Sequence, residues 1–210
     1  MPPKGAPAKP KCKLTYFNLR ARGELSRLLF AQGGQDFDDV RVEQDKWPAL
    51  KKDTPSGTLP VLEVAGKQYG QSMAIARYIA SEVGLNGKNN VERLGIDECL
   101  CDVVDLMTKV FGPVFEKDEA KKAELTKEFE NTILPEYLKR VDSKIGKSGW
   151  IVGDAISAAD LANFDVLDGI INRGNTKCLD KTPKVKALVE KVKAQPKIKA
   201  YLAKRPASTM

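Results

Sequence analysis

Apolar and polar residues alternate over "KLTYF" (13–17), and the spacing then turns helical in "RGELSRLLFAQGG", where Leu25, Leu28 and Leu29 share a face and Gly33–Gly34 supply a stop. "FDDVRV" alternates again and reads as a second strand, and "KWPALKKD" reads as a short helical turn. "LPVLEVAGKQYG" predicts a hairpin, with "VLEV" and "KQYG" around Ala65–Gly66, and "QSMAIARYIASEVG" predicts a helix. The order βαβ-α-ββ-α describes a small α/β layer over 13–84 with one antiparallel strand pair.

After "LNGKNN", a linker by composition at 85–90, the pattern is wholly helical over 91–210. Residues 91–118 and 121–145 read as two long helices that Pro113 and Pro135 should kink or interrupt. "SAADLANFDVLDGIIN" has a well-specified start: Ser157 and Asp160 stand at capping-box spacing, Ile156 and Leu161 at staple spacing. Leu161, Phe164, Leu167 and Ile171 then share a face. The fold class expected is α/β plus all-α.

Composition narrows the chemistry. The 210 residues include no histidine, which removes imidazole base catalysis and most zinc sites. Four cysteines without a CxxC pair read as reduced thiols of a cytoplasmic protein. No apolar run approaches the ~20 residues of a membrane span. The start, "MPPKGAPAKPK", has no apolar h-region, so residues 1–12 read as a disordered basic tail, not a secretory signal. Of the net charge of +7, residues 1–13 carry +4 and 181–205 carry +8, leaving the remainder at −5. The lysines of the second basic segment interleave with Val185, Leu188, Val189, Val192, Ile198, Tyr201 and Leu202 at helical spacing. They read as the solvated face of packed helices, not as a nucleic-acid site.

Several short stretches bear on function. Pro60 opens a strand after a turn, a place that suits a cis peptide; the backbone of Leu59 would then face a peptide-like ligand. Ser72 is placed to cap the following helix, whose first-turn N–H groups could hold a carboxylate, with Gln71 beside it. Trp47 and Lys51, four apart, put an indole N–H and an ammonium on one face, suited to a second carboxylate. Tyr16 adds a phenol at the end of a strand. Each has a plainer reading as packing, capping or surface. Together they outline a pocket for a short peptide carrying two carboxylates and a thiol.

In "KLTYFNLRARGE", "VEQDKWPALKKDTPSGTLPVLEVAGKQYGQSMAIARYIA" and "GDAISAADLANFD" the chain resembles the cytosolic glutathione transferases, closest to the sigma class, which includes glutathione-dependent prostaglandin D synthases and S-crystallins. The resemblance covers about residues 12–206. It implies a thioredoxin-like glutathione-binding domain followed by a helical domain with the electrophile site and dimer contacts. It also implies a homodimer, glutathione as co-substrate and a hydrophobic electrophile as second substrate.

Position by position, the resemblance gives Tyr16 and Arg22 the catalytic places, and Trp47 and Lys51 the glycyl carboxylate. Thr58, Leu59 and Pro60 fall at the cysteinyl unit, Gln71 and Ser72 at the γ-glutamyl end, and Asp105 reaches in from the neighbouring subunit. Ser157 and Asp160 are structural. Phe17, Met107, Val110, Phe111 and Met210 are candidate walls of the second-substrate pocket. Where some prostaglandin-synthase-type members carry a cation-binding carboxylate cluster, this chain has Cys101, Val104 and Asp105, so no metal is expected. Gly112, Pro113 and Ala162 replace bulky aromatics of those members, which favours general electrophiles over a prostaglandin endoperoxide. The other readings are prostaglandin D isomerisation and a crystallin-like or ligand-storage role with little catalysis. "FGPVFEKDEAKKAE" shows no crystallin-type insertion and the glutathione contact set is kept, which favours catalysis.

Overall fold

In a computed structural model that describes residues 10–208, β1 (Cys12–Phe17) turns Cys12, Leu14 and Tyr16 to its buried face and Lys13, Thr15 and Phe17 to the other. α1 (Ala21–Gly33) follows, and β2 (Asp38–Val42) then pairs in parallel with β1, Tyr16 opposite Arg41. The "KWPALKKD" region is a chain of tight turns: a 3-10 turn over Gln44–Lys46, the single turn α2 (Trp47–Leu50), and a second 3-10 turn over Lys51–Asp53. β3 (Val61–Val64) and β4 (Lys67–Tyr69) pair antiparallel around Ala65 and Gly66, whose φ values of 49° and 77° suit a tight hairpin turn. α3 (Ser72–Glu82) completes this part. The sheet order is β2-β1-β3-β4, with β3 antiparallel to both of its neighbours. Leu14, Leu28, Leu29, Leu62, Ile75 and Ile79 form its core, each worth roughly 1.5–3 kcal/mol of burial. α1 does not show a single apolar face: every residue from Gly23 to Phe30 is buried, including Glu24, Ser26 and Arg27.

α4 (Asn90–Phe115) starts where the Asn89 side chain accepts the Val91 and Glu92 N–H groups, both at 3.0 Å. α5 (Glu119–Glu128) and α6 (Leu134–Lys144) are joined by a π-helical turn over Phe129–Ile133. Pro135, in the first turn of α6, cannot donate an N–H back into that turn, so its effect is a widened turn and not a break. Pro113 falls within α4, two residues before the helix ends. α7 (Ala158–Asn172) is buried round almost its whole circumference from Ala158 to Leu167, more than the one face its spacing predicts. α8 (Pro183–Lys193) and α9 (Pro196–Lys204) turn Val185, Leu188, Val189, Val192 and Ile198 inward. Some of their lysines are structural: Lys191 Nζ donates to the Ser148 carbonyl at 2.7 Å and lies 3.7 Å from the centre of the Trp150 ring.

The chain divides into two compact units, one running to Gly84 and resuming at Arg205, the other Leu85–Lys204. Residues 85–90, a linker by composition, open the second unit: Leu85 is buried and its carbonyl accepts the Ala158 N–H at 2.9 Å. No helix among the described residues is long and apolar enough to cross a membrane.

Candidate functional site

The strand directions in the first unit gather distant residues. β1, β2 and β4 run one way and β3 the other, so the ends of β1, β2 and β4 meet the start of β3 at one end of the sheet. Tyr16, the turns that carry Trp47 and Lys51, the Leu59–Pro60 peptide and Gln71–Ser72 all belong to that end. Such carboxyl ends of strands are where open sheets hold ligands.

Tyr16 is only 6% exposed. Its ring lies against Gly23, where a Cβ would come within 2.3 Å of Tyr16 Cδ1. The Arg22 backbone N–H donates to Tyr16 Oη at 3.2 Å. That N–H is one of the four that a helix start leaves without an internal partner, and Arg20, at the N-cap, makes no side-chain cap. The phenol oxygen therefore takes the capping place, at the positive end of the α1 dipole. An oxygen that accepts a hydrogen bond donates its own hydrogen more strongly. Beside it Ala21 holds a φ of 34°, a left-handed conformation that costs a non-glycine residue on the order of 1–3 kcal/mol.

Phe17 meets both Tyr16 and Trp47 edge-on, each pair of ring centres 5.7 Å apart. The Lys51 N–H donates to the Trp47 carbonyl, which sets the two one helical turn apart, as their spacing predicts. Lys51 runs over Gly57, its Cε 3.5 Å from where a Cβ would stand, and Ser56 Oγ lies 3.0 Å from the Cβ position of Gly70. The 51–57 loop thus packs on the chain just before Gln71. Trp47 and Leu59 line one cleft of about 240 Å³ with Thr15, Thr54 and Val61. The Leu59–Pro60 bond is cis. Thr58 is exposed. Gln71, not Ser72, takes the N-cap position of α3, a correction to the capping expectation; Ser72 is the first helical residue. Gln71 has φ 69° and ψ 102° and makes no side-chain cap. The start of α3 is therefore a place where N–H groups and the helix dipole suit an anion.

The remaining candidates lie in the second unit or beyond the described residues. Asp105 is exposed on α4, Met107 and Phe111 are half-buried, and Val110 is buried in that unit's own core. Met210 lies outside the described residues, as does most of the 1–12 tail. Asp160 is fully buried and accepts from the N–H groups of Ile151 (2.9 Å) and Ser157 (2.8 Å) and from Ser157 Oγ (2.9 Å). Burial pushes its carboxyl above the usual range, and these bonds pull it part of the way back. Among the described residues no three His, Cys, Asp or Glu side chains are grouped to hold a metal ion.

Comparison with known proteins shows the family of the chain. The family model described as "Glutathione S-transferase, N-terminal domain" matches residues 12–81, and "Glutathione S-transferase, C-terminal domain" matches 104–205. The chain is 41% identical over 201 residues to S-crystallin SL11 of Nototodarus sloanii, covering 93% of this chain and 97% of that one. It belongs to the glutathione transferase family. The family gives the thioredoxin-like first domain and helical second domain, an enzyme, and glutathione as co-substrate. The chain is 38% identical over 199 residues to a glutathione S-transferase of Anopheles gambiae, covering 94% of this chain and 98% of that one. The solved structure of prostaglandin synthase D of Nilaparvata lugens superposes with a TM-score of 0.88 at 37% identity, over 94% of this chain and 100% of that one. These relatives make the transferase sigma-class-like.

Three features of the site escaped the sequence pattern. Gly23 gave no signal beyond its place in a helix, the positive φ of Gln71 is set by the chain around it, and the burial of Arg27 rests on a partner outside its own helix, Asp39. A glycine in the first turn of an otherwise regular helix, just after a strand that ends on an aromatic pair, is the signal that could have found the first.

Proposed function

We propose that the protein conjugates glutathione to electrophilic hydrophobic small molecules, with Tyr16 activating the thiol and Arg22 assisting. The observation that carries this is the Arg22 N–H donated to Tyr16 Oη at 3.2 Å, which supports the phenol as a donor to sulfur. A free thiol with a pKa near ~8.5 is only a few per cent thiolate at pH 7. Lowering that value by about two units takes roughly 2.7 kcal/mol of differential stabilisation. A hydrogen bond to an ionised group supplies about 1.5–3 kcal/mol, so Tyr16 with the Arg22 charge and the α1 dipole suffices without a histidine. The thiolate then attacks the electrophilic carbon, the C–S bond forms as the leaving group departs with its electron pair, and the thiol proton has already gone to water.

Around that centre, Trp47 and Lys51 hold the glycyl carboxylate, the Leu59 backbone with Thr58 and Pro60 pairs the cysteinyl unit, and Gln71 with Ser72 holds the γ-glutamyl end. Met107 and Phe111, half-buried on α4, contact the second substrate. The protein acts in the cytoplasm as a homodimer, and Asp105 reaches the partner's glutathione. An apolar concavity of about 610 Å³ on the first unit, lined by Leu62, Val64, Tyr69, Ala74 and Tyr78, supports the dimer; Tyr69 there is 51% exposed. A second reading, isomerisation of a prostaglandin endoperoxide, is supported by the likeness to the Nilaparvata lugens structure. Turnover of chlorodinitrobenzene by the parent and by Tyr16→Phe across pH tests the proposal. A fall in rate with its pH dependence moved upward is expected. Glutathione binding without conjugation, but with endoperoxide turnover, would move the assignment to the isomerase.

A further inference from the structure

Charged side chains of alternating sign run beneath the turn that follows Tyr16. Arg205 Nη1 meets Glu24 Oε1 at 3.0 Å, and Glu24 Oε2 meets Arg27 Nη1 at 3.3 Å. Arg27 Nε meets Asp39 Oδ1 at 3.0 Å, and Asp39 Oδ2 meets Arg41 Nε at 2.9 Å. Arg41 Nη1 then donates to Asn18 Oδ1 at 3.3 Å. Glu24 and Arg27 are fully buried. Arg27 also donates to the carbonyls of Leu19 (2.8 Å) and Phe17 (3.3 Å), and its guanidinium carbon is 5.8 Å from the Tyr16 ring centre. The guanidinium therefore clamps the backbone on either side of Asn18, directly after Tyr16. Arg205 is 181 positions from Glu24 in the chain, and its side chain is 15% exposed.

A buried carboxylate that meets two arginines is shared between them, and removing one leaves more of its pull on the other. We propose that Arg205 is a positioning residue for the thiolate chemistry: by sharing Glu24 it keeps Arg27 on the Phe17 and Leu19 carbonyls, and so fixes the direction of the Tyr16 O–H. This rests on the role given to Tyr16 above. Without Arg205, Glu24 draws Arg27 toward itself, the turn loosens, and the Tyr16–Arg22 pair that meets the sulfur is less well aimed. Misalignment at a reacting group is costly far beyond its size.

The site gives a clean readout. The charged groups packed round the turn are Arg20 within it, Arg22, Glu24 and Arg27 on α1, Asp39 and Arg41 on β2, Glu43 just after β2, which accepts from Asn18 Nδ2 at 3.4 Å, and Arg205. None is a histidine, and burial with the Glu82 charge pushes the Cys12 thiol of β1 above its ordinary range. A midpoint between roughly pH 6 and 8 therefore reports the bound glutathione thiol. The test uses the full chain with Arg205→Ala, Arg205→Lys, Glu24→Gln and the Glu24→Gln/Arg205→Ala double variant. Conjugation rate and ultraviolet thiolate absorbance are followed across pH. Arg205→Ala should move the midpoint up by about half to one pH unit, a roughly 3–10-fold loss of rate below it, with the high-pH plateau kept. Arg205→Lys should recover at least half of the shift, and the shift should vanish in the Glu24→Gln background. Superimposable profiles for the parent and Arg205→Ala, whatever their melting temperatures, would overturn the assignment. So would an equal shift in the Glu24→Gln background. If Tyr16→Phe itself leaves the profile unmoved, the underlying reading fails, and this one with it; if Tyr16→Phe shifts it and Arg205→Ala does not, only the role of Arg205 fails.

Discussion

Replacing Gly23 with alanine puts a methyl carbon 2.3 Å from Tyr16 Cδ1 and 2.6 Å from Cγ. Carbon atoms rest at about 3.5–4.0 Å, so the ring must retreat by roughly 1.2 Å or more. It has little room to do so, with Phe17 meeting it edge-on at 5.7 Å and the Arg27 guanidinium over it at 5.8 Å. Overpacking of this kind costs about 1–3 kcal/mol, partly offset by the ~1 kcal/mol that alanine gains over glycine inside a helix. Stability should therefore fall by only about 0–2 kcal/mol. Activity should fall further, because a displacement of about 1 Å at a reacting group can cost 10²-fold. Gly33→Ala is the matched comparison: its Cβ would stand 2.3 Å from Val83 Cβ, just as crowded but away from Tyr16. Urea unfolding and kcat/KM for chlorodinitrobenzene should show both variants destabilised. Gly33→Ala should keep its turnover per folded molecule, and Gly23→Ala should lose one to two orders of magnitude. A Gly23→Ala protein within threefold of the parent would refute the claim that Tyr16 is held in place by this contact.

The thiols provide a pH test. Burial pushes the Cys99 thiol up to about 11 and Cys99 is 4% exposed, whereas Cys101, two residues on, is exposed. A raised thiol pKa favours the neutral form, so at about pH 8 only ~10⁻³ of Cys99 is thiolate, rising tenfold per pH unit toward 11. Mass mapping of a thiol reagent on the native protein should show Cys101 labelled first, and comparable labelling of Cys99 would contradict this. Asp160→Ala removes the acceptor of three buried or capping hydrogen bonds. Chemical denaturation should register a loss of about 3–5 kcal/mol, whereas a loss under about 1 kcal/mol would mean that water replaces the carboxylate at no penalty.

Legibility tracks the range of the interactions. The Ala65–Gly66 hairpin and the Ser157–Asp160 cap were readable because their determinants lie within a few residues, and both form where the spacing puts them. Pro135 was correctly marked as a disturbance, yet whether a proline breaks, kinks or widens a helix depends on what the flanking turns pack against. Here Phe129, Leu134 and Leu138 are buried, and that packing carries the helix through a π turn. α1 misled more. Leu25, Leu28 and Leu29 announced a face, but Glu24 and Arg27 are buried as well, because their partners Asp39 and Arg205 come from far along the chain. The strained backbone at Ala21 and Gln71 is likewise imposed from outside the local sequence. At the candidate site the cis Leu59–Pro60 bond was legible from the turn-then-strand pattern, and the left-handed backbone at Ala21 and Gln71 was not.

The central claim is that Tyr16 makes the sulfur of bound glutathione an anion at neutral pH. Ultraviolet difference titration of glutathione bound to the parent and to Tyr16→Phe measures this without any electrophile. The parent should titrate near pH ~6.5, about two units below a free thiol, and the variant at least about one unit higher, toward ~8.5. Equal midpoints in the two proteins would contradict the account.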